Sequence, residues 1–100
     1  MVRARFVRSR NAVELTFLLD RPDATSVEVA VDLLGWTALS MRRYPRATGP
    51  WRITVRAPAA DEAQFRYAID GDDWVDDPDA DEHRPNSFGT TNSVVRLPTG

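Results

Sequence analysis

The chain has 100 residues, of which 42% are hydrophobic and 28% are charged, with a net charge of −2. These values are typical of one soluble globular domain over residues 1–100, and they give no indication of nucleic acid or a membrane as the main partner. The lack of cysteine excludes disulfides and thiolate zinc sites, and no apolar run suits a signal peptide or a membrane span, so a cytoplasmic location is expected.

The first ten residues are rich in arginine. Arg3 and Arg5 alternate with Ala4 and Phe6, which predicts a strand with a solvated basic face. Basic residues on an edge strand discourage pairing with other strands, and we take this as the interpretation of the segment. The alternative is a basic arm for an acidic partner, formed by Arg3, Arg5, Arg8 and Arg10.

Short alternating runs, separated by turn residues, follow along the rest of the chain. No segment has the apolar spacing of an amphipathic helix, and the Asp-, Pro- and Asn-rich stretch between Trp74 and Ser93 is expected to be a long loop. The pattern predicts an immunoglobulin-like antiparallel β-sandwich of about seven to eight strands. The runs are 12–19, 26–34, 39–44, 51–55 (with Trp51 in the core), 64–70 and 93–97.

The segment from Gln64 to Trp74 predicts a strand, a reversal and an aromatic residue. Its apolar residues alternate with polar or small ones as far as Ile69. Asp70-Gly71 then supplies a pair of residues that tolerate positive φ, so the chain reverses there. The large ring of Trp74 follows the turn, where it is either part of the core or a platform for a ligand.

Catalytic chemistry is not indicated. The single histidine, His83, lies in the polar stretch without a thiol to pair with, and we expect it to be solvated. The acidic run Asp70–Glu82 departs from the calcium-loop pattern because its glycine precedes the acidic residues. We therefore expect no catalytic residue, no metal site and no cofactor.

Aromatic residues beside turns indicate a binding function instead. Trp36 follows Gly35 at the end of a strand, and Trp74 follows a turn with glycine. An indole ring offers a rigid flat surface for the apolar face of glucose, and nearby polar side chains would meet the sugar hydroxyls. Candidates for that polar set are Arg66, Thr90 and Asn92. The alternative is that both tryptophans belong to the core and the loop is merely polar.

From Val27 to Leu97 the chain resembles the glycogen-binding modules of carbohydrate-binding family 48. These modules occur in the β-subunit of AMP-activated protein kinase and at the N-termini of isoamylase-type debranching and branching enzymes. The resemblance depends on several short motifs in the same order and with closely similar spacing. They are Trp36, Met41, Trp51, Phe65-Arg66-Tyr67, Ile69-Asp70-Gly71, Trp74, Asp77-Pro78 and Gly89-Thr90-Thr91-Asn92-Ser93-Val94-Val95.

The resemblance implies a β-sandwich that binds α-1,4-glucan (glycogen, starch or maltooligosaccharide) without catalysis. By position, Trp36 and Trp74 would be the stacking platforms, and Arg66 stands where the family usually has a lysine. Phe88 occupies the position of a leucine that inserts against the glucan. Thr90 and Asn92 match the family's polar pair. The chain departs from the family in the turn before Trp74, where it has two residues, Asp72 and Asp73, instead of one.

Two other functions are compatible with the sequence. The same fold would serve as a protein–protein interaction or regulatory module, with the arginine-rich edge or the acidic run as its contact surface. It would also serve as the N-terminal domain of an amylolytic enzyme. If the module binds glucan, a glycogen-metabolising or regulatory protein is the expected partner that it tethers to the polymer.

Overall fold

The protein consists of two antiparallel β-sheets, as seen in a computed structural model that describes residues 1–43 and 48–99. One sheet has the strand order β1-β2-β6-β5, and the other has the order β4-β3-β7-β10-β9, with β8 also paired to β7. The strands are β1 (Val2–Val7), β2 (Ala12–Leu19), β3 (Val27–Val31), β4 (Leu39–Ser40), β5 (Arg42–Arg43), β6 (Trp51–Pro58), β7 (Glu62–Ile69), β8 (Asp73–Val75), β9 (Glu82–Pro85) and β10 (Thr91–Arg96).

The predicted all-β sandwich is confirmed, but the described residues form ten strands where about seven to eight were expected. The short run starting at Leu39 divides into the two-residue strands β4 and β5, which pair with different sheets. Its last residue, Tyr44, lies outside the described residues. Strands this short leave too few alternating residues to be recognised from their pattern.

The expectation of one long loop between Trp74 and Ser93 is wrong, because the segment contains the end of β8, the whole of β9 and the first two residues of β10. β9 carries charged side chains whose partners lie on other strands. Arg84 contacts Glu62 of β7, and Arg96 of β10 donates to Glu62 and to Glu82 at 3.1 and 3.0 Å. These ion pairs join β7, β9 and β10, and no single segment of the sequence contains them.

The run 26–34 ends as a strand earlier than its apolar pattern suggests. β3 stops at Val31 and a 3-10 helix covers Asp32–Leu34. The Asp32 carboxylate accepts hydrogen bonds from the backbone N–H groups of Leu33, at 2.7 Å, and Gln64, at 3.0 Å. The Asp32 side chain therefore accepts backbone hydrogen bonds at the point where β3 ends, in place of bonds between strands.

Three aromatic rings occupy the centre of the sandwich. Phe17 extends from β2, and Phe65 and Tyr67 extend from β7 in the other sheet; all three are fully buried. They meet edge to face, with ring centroids 5.2 to 6.4 Å apart, which is the favoured geometry for aromatic pairs. Trp51 belongs to this core, as predicted, and its indole N–H donates to the Arg21 carbonyl at 3.1 Å.

The predicted strand at the start of the chain is β1, which lies at the edge of the four-stranded sheet. Arg3 and Arg5 are exposed, whereas Val2, Ala4 and Phe6 pack against the core. The basic outer face expected from the sequence is therefore confirmed.

Candidate functional site

An open concavity of about 480 Å³ lies beside β7 in the six-stranded sheet. β3 pairs along one edge of β7, while β10 and β8 share the other edge, β10 beside its first half and β8 beside its second. The concavity therefore lies between β8 and the hairpin of β9 and β10. It is lined by Arg66, Trp74, Asp76, Pro85, Asn86, Gly89, Thr90 and Thr91.

The turn between β7 and β8 has the positive φ angles that the Asp-Gly pair predicts, 52° at Asp70 and 93° at Gly71. Asp73 already pairs with Ile69, so the turn comprises Asp70, Gly71 and Asp72, and Trp74 lies opposite Ala68. One Asp70 carboxylate oxygen accepts from the Thr25 N–H, the Thr25 hydroxyl and the Ser26 N–H, at 2.7 to 3.0 Å. Asp70 thus connects the turn to the chain just before β3.

These bonds predict a pH dependence of stability. The Thr25 hydroxyl, followed by the backbone N–H groups of Ser26 and Thr25, lowers the pKa of Asp70 below its usual 3.8. A carboxyl with a lowered pKa in the folded state stabilises the protein above its unfolded pKa, and this contribution is lost as the pH falls through the folded value. Urea unfolding should therefore show Asp70→Asn less stable than wild type at pH 6. The difference should shrink steadily below pH 4; a difference that does not change with pH would contradict the assignment.

Trp74 lies on the outer face of the six-stranded sheet and is 43% exposed. The residues of β7 that face the core are Phe65, Tyr67 and Ile69, so Ala68 and its cross-strand partner Trp74 are on the opposite face. The Arg66 guanidinium carbon lies 5.2 Å from the centre of the Trp74 ring, which is within the range of a cation–π contact. Trp74 is therefore a surface residue with Arg66 next to its ring, and it is not part of the core.

The β9–β10 hairpin presents Thr90 at the concavity through contacts made by Asn86. The Asn86 side-chain oxygen accepts from the backbone N–H groups of Phe88 and Thr90, at 2.9 and 3.2 Å. Its amide nitrogen donates to the Thr90 hydroxyl at 2.8 Å and to the Asn92 side-chain oxygen at 3.0 Å. Asn86 thereby connects Phe88, Thr90 and Asn92 across the tip of the hairpin.

Asn92 is 9% exposed, and both ends of its amide already have partners. In addition to the bond from Asn86, it donates to the Gln64 side-chain oxygen at 3.0 Å. Its position links the hairpin tip to β7 and leaves Thr90 as the more accessible member of the predicted polar pair.

Trp36 is also 43% exposed, and it has an unusual backbone conformation. Its φ angle is 60°, directly after Gly35 at 72°, and its N–H donates to the Val31 carbonyl at 2.9 Å. The left-handed region is unfavourable for a bulky residue by about 1–2 kcal/mol. The fold therefore keeps a large ring at the surface in spite of a local conformational cost.

The predicted site residues fall into two groups. Arg66, Trp74 and Thr90 line the concavity together, and Asn92 connects to it through Asn86. Trp36 and Phe88 do not belong to the described residues that line the concavity. Phe88 is 84% exposed at the hairpin tip. Trp36 follows the 3-10 helix that comes after β3, the strand paired with the other edge of β7.

Sequence reasoning missed Asn86, Asp76 and Thr91, which line the concavity as well. The Thr91 hydroxyl donates to the Asp76 carboxylate, and this bond joins β10 to the segment after β8. Asn86 could have been recognised, because asparagine three residues before a glycine is a common turn signature. The position of Asp76 had no signal, since many acidic residues surround it in the sequence.

The segment after β8 is anchored by a buried carboxylate, Asp77, which is 1% exposed. Asp77 accepts hydrogen bonds from the Tyr67 hydroxyl at 3.2 Å and the Asp79 N–H at 2.9 Å, and it contacts the Met1 ammonium at 2.5 Å. Its own N–H donates to the Ser93 hydroxyl at 2.8 Å. Burial, and then the Asp77 carboxylate, raise the pKa of Tyr67 well above its usual value, so the hydroxyl remains a donor.

The described residues offer no grouped set of histidine, cysteine or carboxylate side chains that could hold a metal ion. His83 is exposed on β9, and its Nε2 lies 2.8 Å from the Asp77 carbonyl. Within residues 1–43 and 48–99, no helix has both the length and the apolar character needed to cross a membrane.

Comparison of the chain with models of known protein families, and with curated proteins, gave no match.

Proposed function

We propose that this protein is a non-catalytic module that binds α-1,4-glucan through surface aromatic rings on the outer side of its six-stranded sheet. The observation that carries the proposal is the set of large apolar side chains left exposed. In the part of the chain that the structure describes, the exposed large apolar residues are Met1 and three aromatic residues, Trp36, Trp74 and Phe88. The fold buries or half-buries its other large apolar residues and leaves these three aromatic rings at the surface, where a ligand can reach them.

The chemistry around Trp74 suits a sugar. The ring offers an apolar surface to the C–H groups of a glucose unit, while the concavity beside it holds the Thr90 hydroxyl and the Arg66 guanidinium. Aromatic contacts of this kind contribute about 0.5–1.5 kcal/mol beyond the burial of area. The polar groups then supply the directional hydrogen bonds that sugar hydroxyls require.

Trp36 would be the second platform. Trp36 follows β3 and its 3-10 helix, whereas Trp74 lies on β8, and these two strands pair with opposite edges of β7. A glucan bound by both rings would therefore span β7. An α-1,4-glucan curves, and two separated rings can follow such a curve. Backbone strain at an exposed position is a feature of functional sites, which supports this role for Trp36. Phe88 would contact the glucan from the hairpin tip.

The affinity should be modest, with a Kd of about 1 μM to 1 mM, because an open face leaves much of the sugar hydrated. Tryptophan fluorescence during titration with maltoheptaose tests the proposal. Trp51 is buried, so a change in emission on binding would report Trp36 and Trp74. We expect a saturable change with maltoheptaose and a much weaker one with cellohexaose, whose β-linked chain is flat. No change up to millimolar maltoheptaose would reject the proposal.

The biological role is part of the same proposal. A module of this kind acts in the cytoplasm, either alone or by tethering a glycogen-metabolising or regulatory protein to the polymer. The enzyme activity would then belong to that partner.

A further inference from the structure

A second binding feature, independent of the glucan proposal, lies at the open edge of β1. Met1 and Leu18 exchange backbone hydrogen bonds in both directions, each of 2.8 Å. Bonded and non-bonded pairs alternate along antiparallel strands, so Arg3 and Arg5 also bond to β2, while Val2, Ala4 and Phe6 direct their N–H and C=O groups away from it. In the described residues β1 pairs only with β2, so these groups form an open edge.

A cavity of about 470 Å³ lies directly beside this edge, between the two sheets. Val2 and Ala4 of β1 form one side of it, and Phe65, Val95 and Leu97 contribute further apolar surface. The rest of the lining is partly charged and includes Asp77, Asp79, Asp81 and Arg96, so this space suits uncharged apolar side chains and disfavours carboxylates. A strand added to the open edge of β1 would direct every second side chain towards this space, because side chains directly opposite each other share a face.

The other face of the same edge is basic. Arg3 is exposed and lies opposite Thr16, and Arg5 is exposed and contacts Glu14 at 3.2 Å. Further arginines, Arg52 and Arg56, are exposed on β6 of the same sheet. An added strand would therefore place its outward side chains next to Arg3 and Arg5, where carboxylates are favoured.

We propose that β1 accepts an extended segment of a partner protein, in which apolar and acidic residues alternate, as an additional strand of the four-stranded sheet. Backbone hydrogen bonds to Val2, Ala4 and Phe6 supply affinity. The cavity and the two arginines supply specificity, one for each face of the segment. This is peptide recognition by β-strand addition.

The charge pattern selects against other occupants. Two copies of β1 paired antiparallel around Ala4 would place Arg3 of each copy opposite Arg5 of the other, and this repulsion disfavours self-association. A nucleic acid would find cations here, but the exposed aromatic rings that stack bases lie elsewhere in the described residues, on the six-stranded sheet and its loops. A strand with alternating apolar and acidic residues would bond to the backbone edge, place its apolar side chains towards the cavity and place its carboxylates next to Arg3 and Arg5.

The test uses a peptide of about seven residues with alternating valine and glutamate, and amide hydrogen exchange measured by NMR. Binding should slow exchange at Val2, Ala4 and Phe6 and leave Arg3 and Arg5 unchanged, because the latter amides already bond to β2. A peptide of alternating valine and lysine should bind at least about tenfold more weakly. Absence of protection at Val2, Ala4 and Phe6 with millimolar acidic peptide would overturn the proposal.

Two variants separate strand addition from simple charge attraction. Ala4→Pro removes only an N–H on the open edge and should weaken the peptide about tenfold or more. Arg3→Glu should reverse the preference towards the valine–lysine peptide, while Arg52→Glu, on the same sheet but away from the edge, should change either affinity by less than about twofold. If Arg52→Glu weakens the acidic peptide as much as Arg3→Glu, or if polyglutamate or a DNA duplex binds without protecting these amides, the basic face alone is the site and the proposal is wrong.

Discussion

Replacing Trp74 by alanine is expected to weaken maltoheptaose binding by at least about tenfold, equivalent to about 1.4 kcal/mol, while the protein stays folded. The ring is nearly half exposed and lies on the three-residue strand β8, so its loss removes little of the core. We expect the free energy of unfolding to change by less than about 1 kcal/mol, mainly through the lost contact with Arg66. Isothermal titration calorimetry and urea unfolding measure the two quantities separately.

Matched tryptophan variants make this prediction specific. Trp36→Ala should weaken binding to a similar extent, whereas Arg56→Ala, on the outer face of the other sheet, should leave it unchanged. Trp51→Ala removes a core ring and should cost about 3–5 kcal/mol of stability. If Trp74→Ala binds maltoheptaose like wild type, Trp74 is not a platform. If Trp74→Ala unfolds like Trp51→Ala, the ring is structural.

Asp77→Ala is expected to destabilise the protein by about 3 kcal/mol, although the residue belongs to a polar segment. The substitution leaves the buried Tyr67 hydroxyl and the Asp79 N–H without their acceptor. Asp79→Ala is the matched control, because that side chain is exposed and two residues away; its effect should stay within about 0.5 kcal/mol. Urea unfolding at pH 7 measures both, and equal effects would show that the Asp77 contacts do not matter.

A double-mutant cycle tests the cause of that loss. Tyr67→Phe removes the hydroxyl donor and should cost about 1 kcal/mol by itself. If the unpaired hydroxyl accounts for part of the Asp77→Ala effect, the double variant should be more stable than the sum of the single effects predicts. Strict additivity would indicate that the two groups do not interact.

The sequence was sufficient for those features that depend on neighbouring residues. Alternation of period two identified most of the long strands, placed Trp51 in the core and placed Arg3 and Arg5 on an outer face. The Asp70-Gly71 turn was predictable for the same reason, since positive φ is a property of the residues at the turn itself. These features need only local chemistry, and an antiparallel sandwich follows from several such strands in succession.

The tertiary structure decided the features that depend on distant partners. β9 pairs with β10 along its whole length, and Arg84 and Arg96 both contact Glu62 of β7. The exposure of Trp74 depends on the pairing of β8 with β7, and the role of Asn86 depends on the return of β10 beside β9. The open edge of β1 beside a cavity likewise arises only when the two sheets pack. Long-range pairing sets burial and exposure, so the sequence alone left Trp74 as either core or platform, and the fold placed it at the surface.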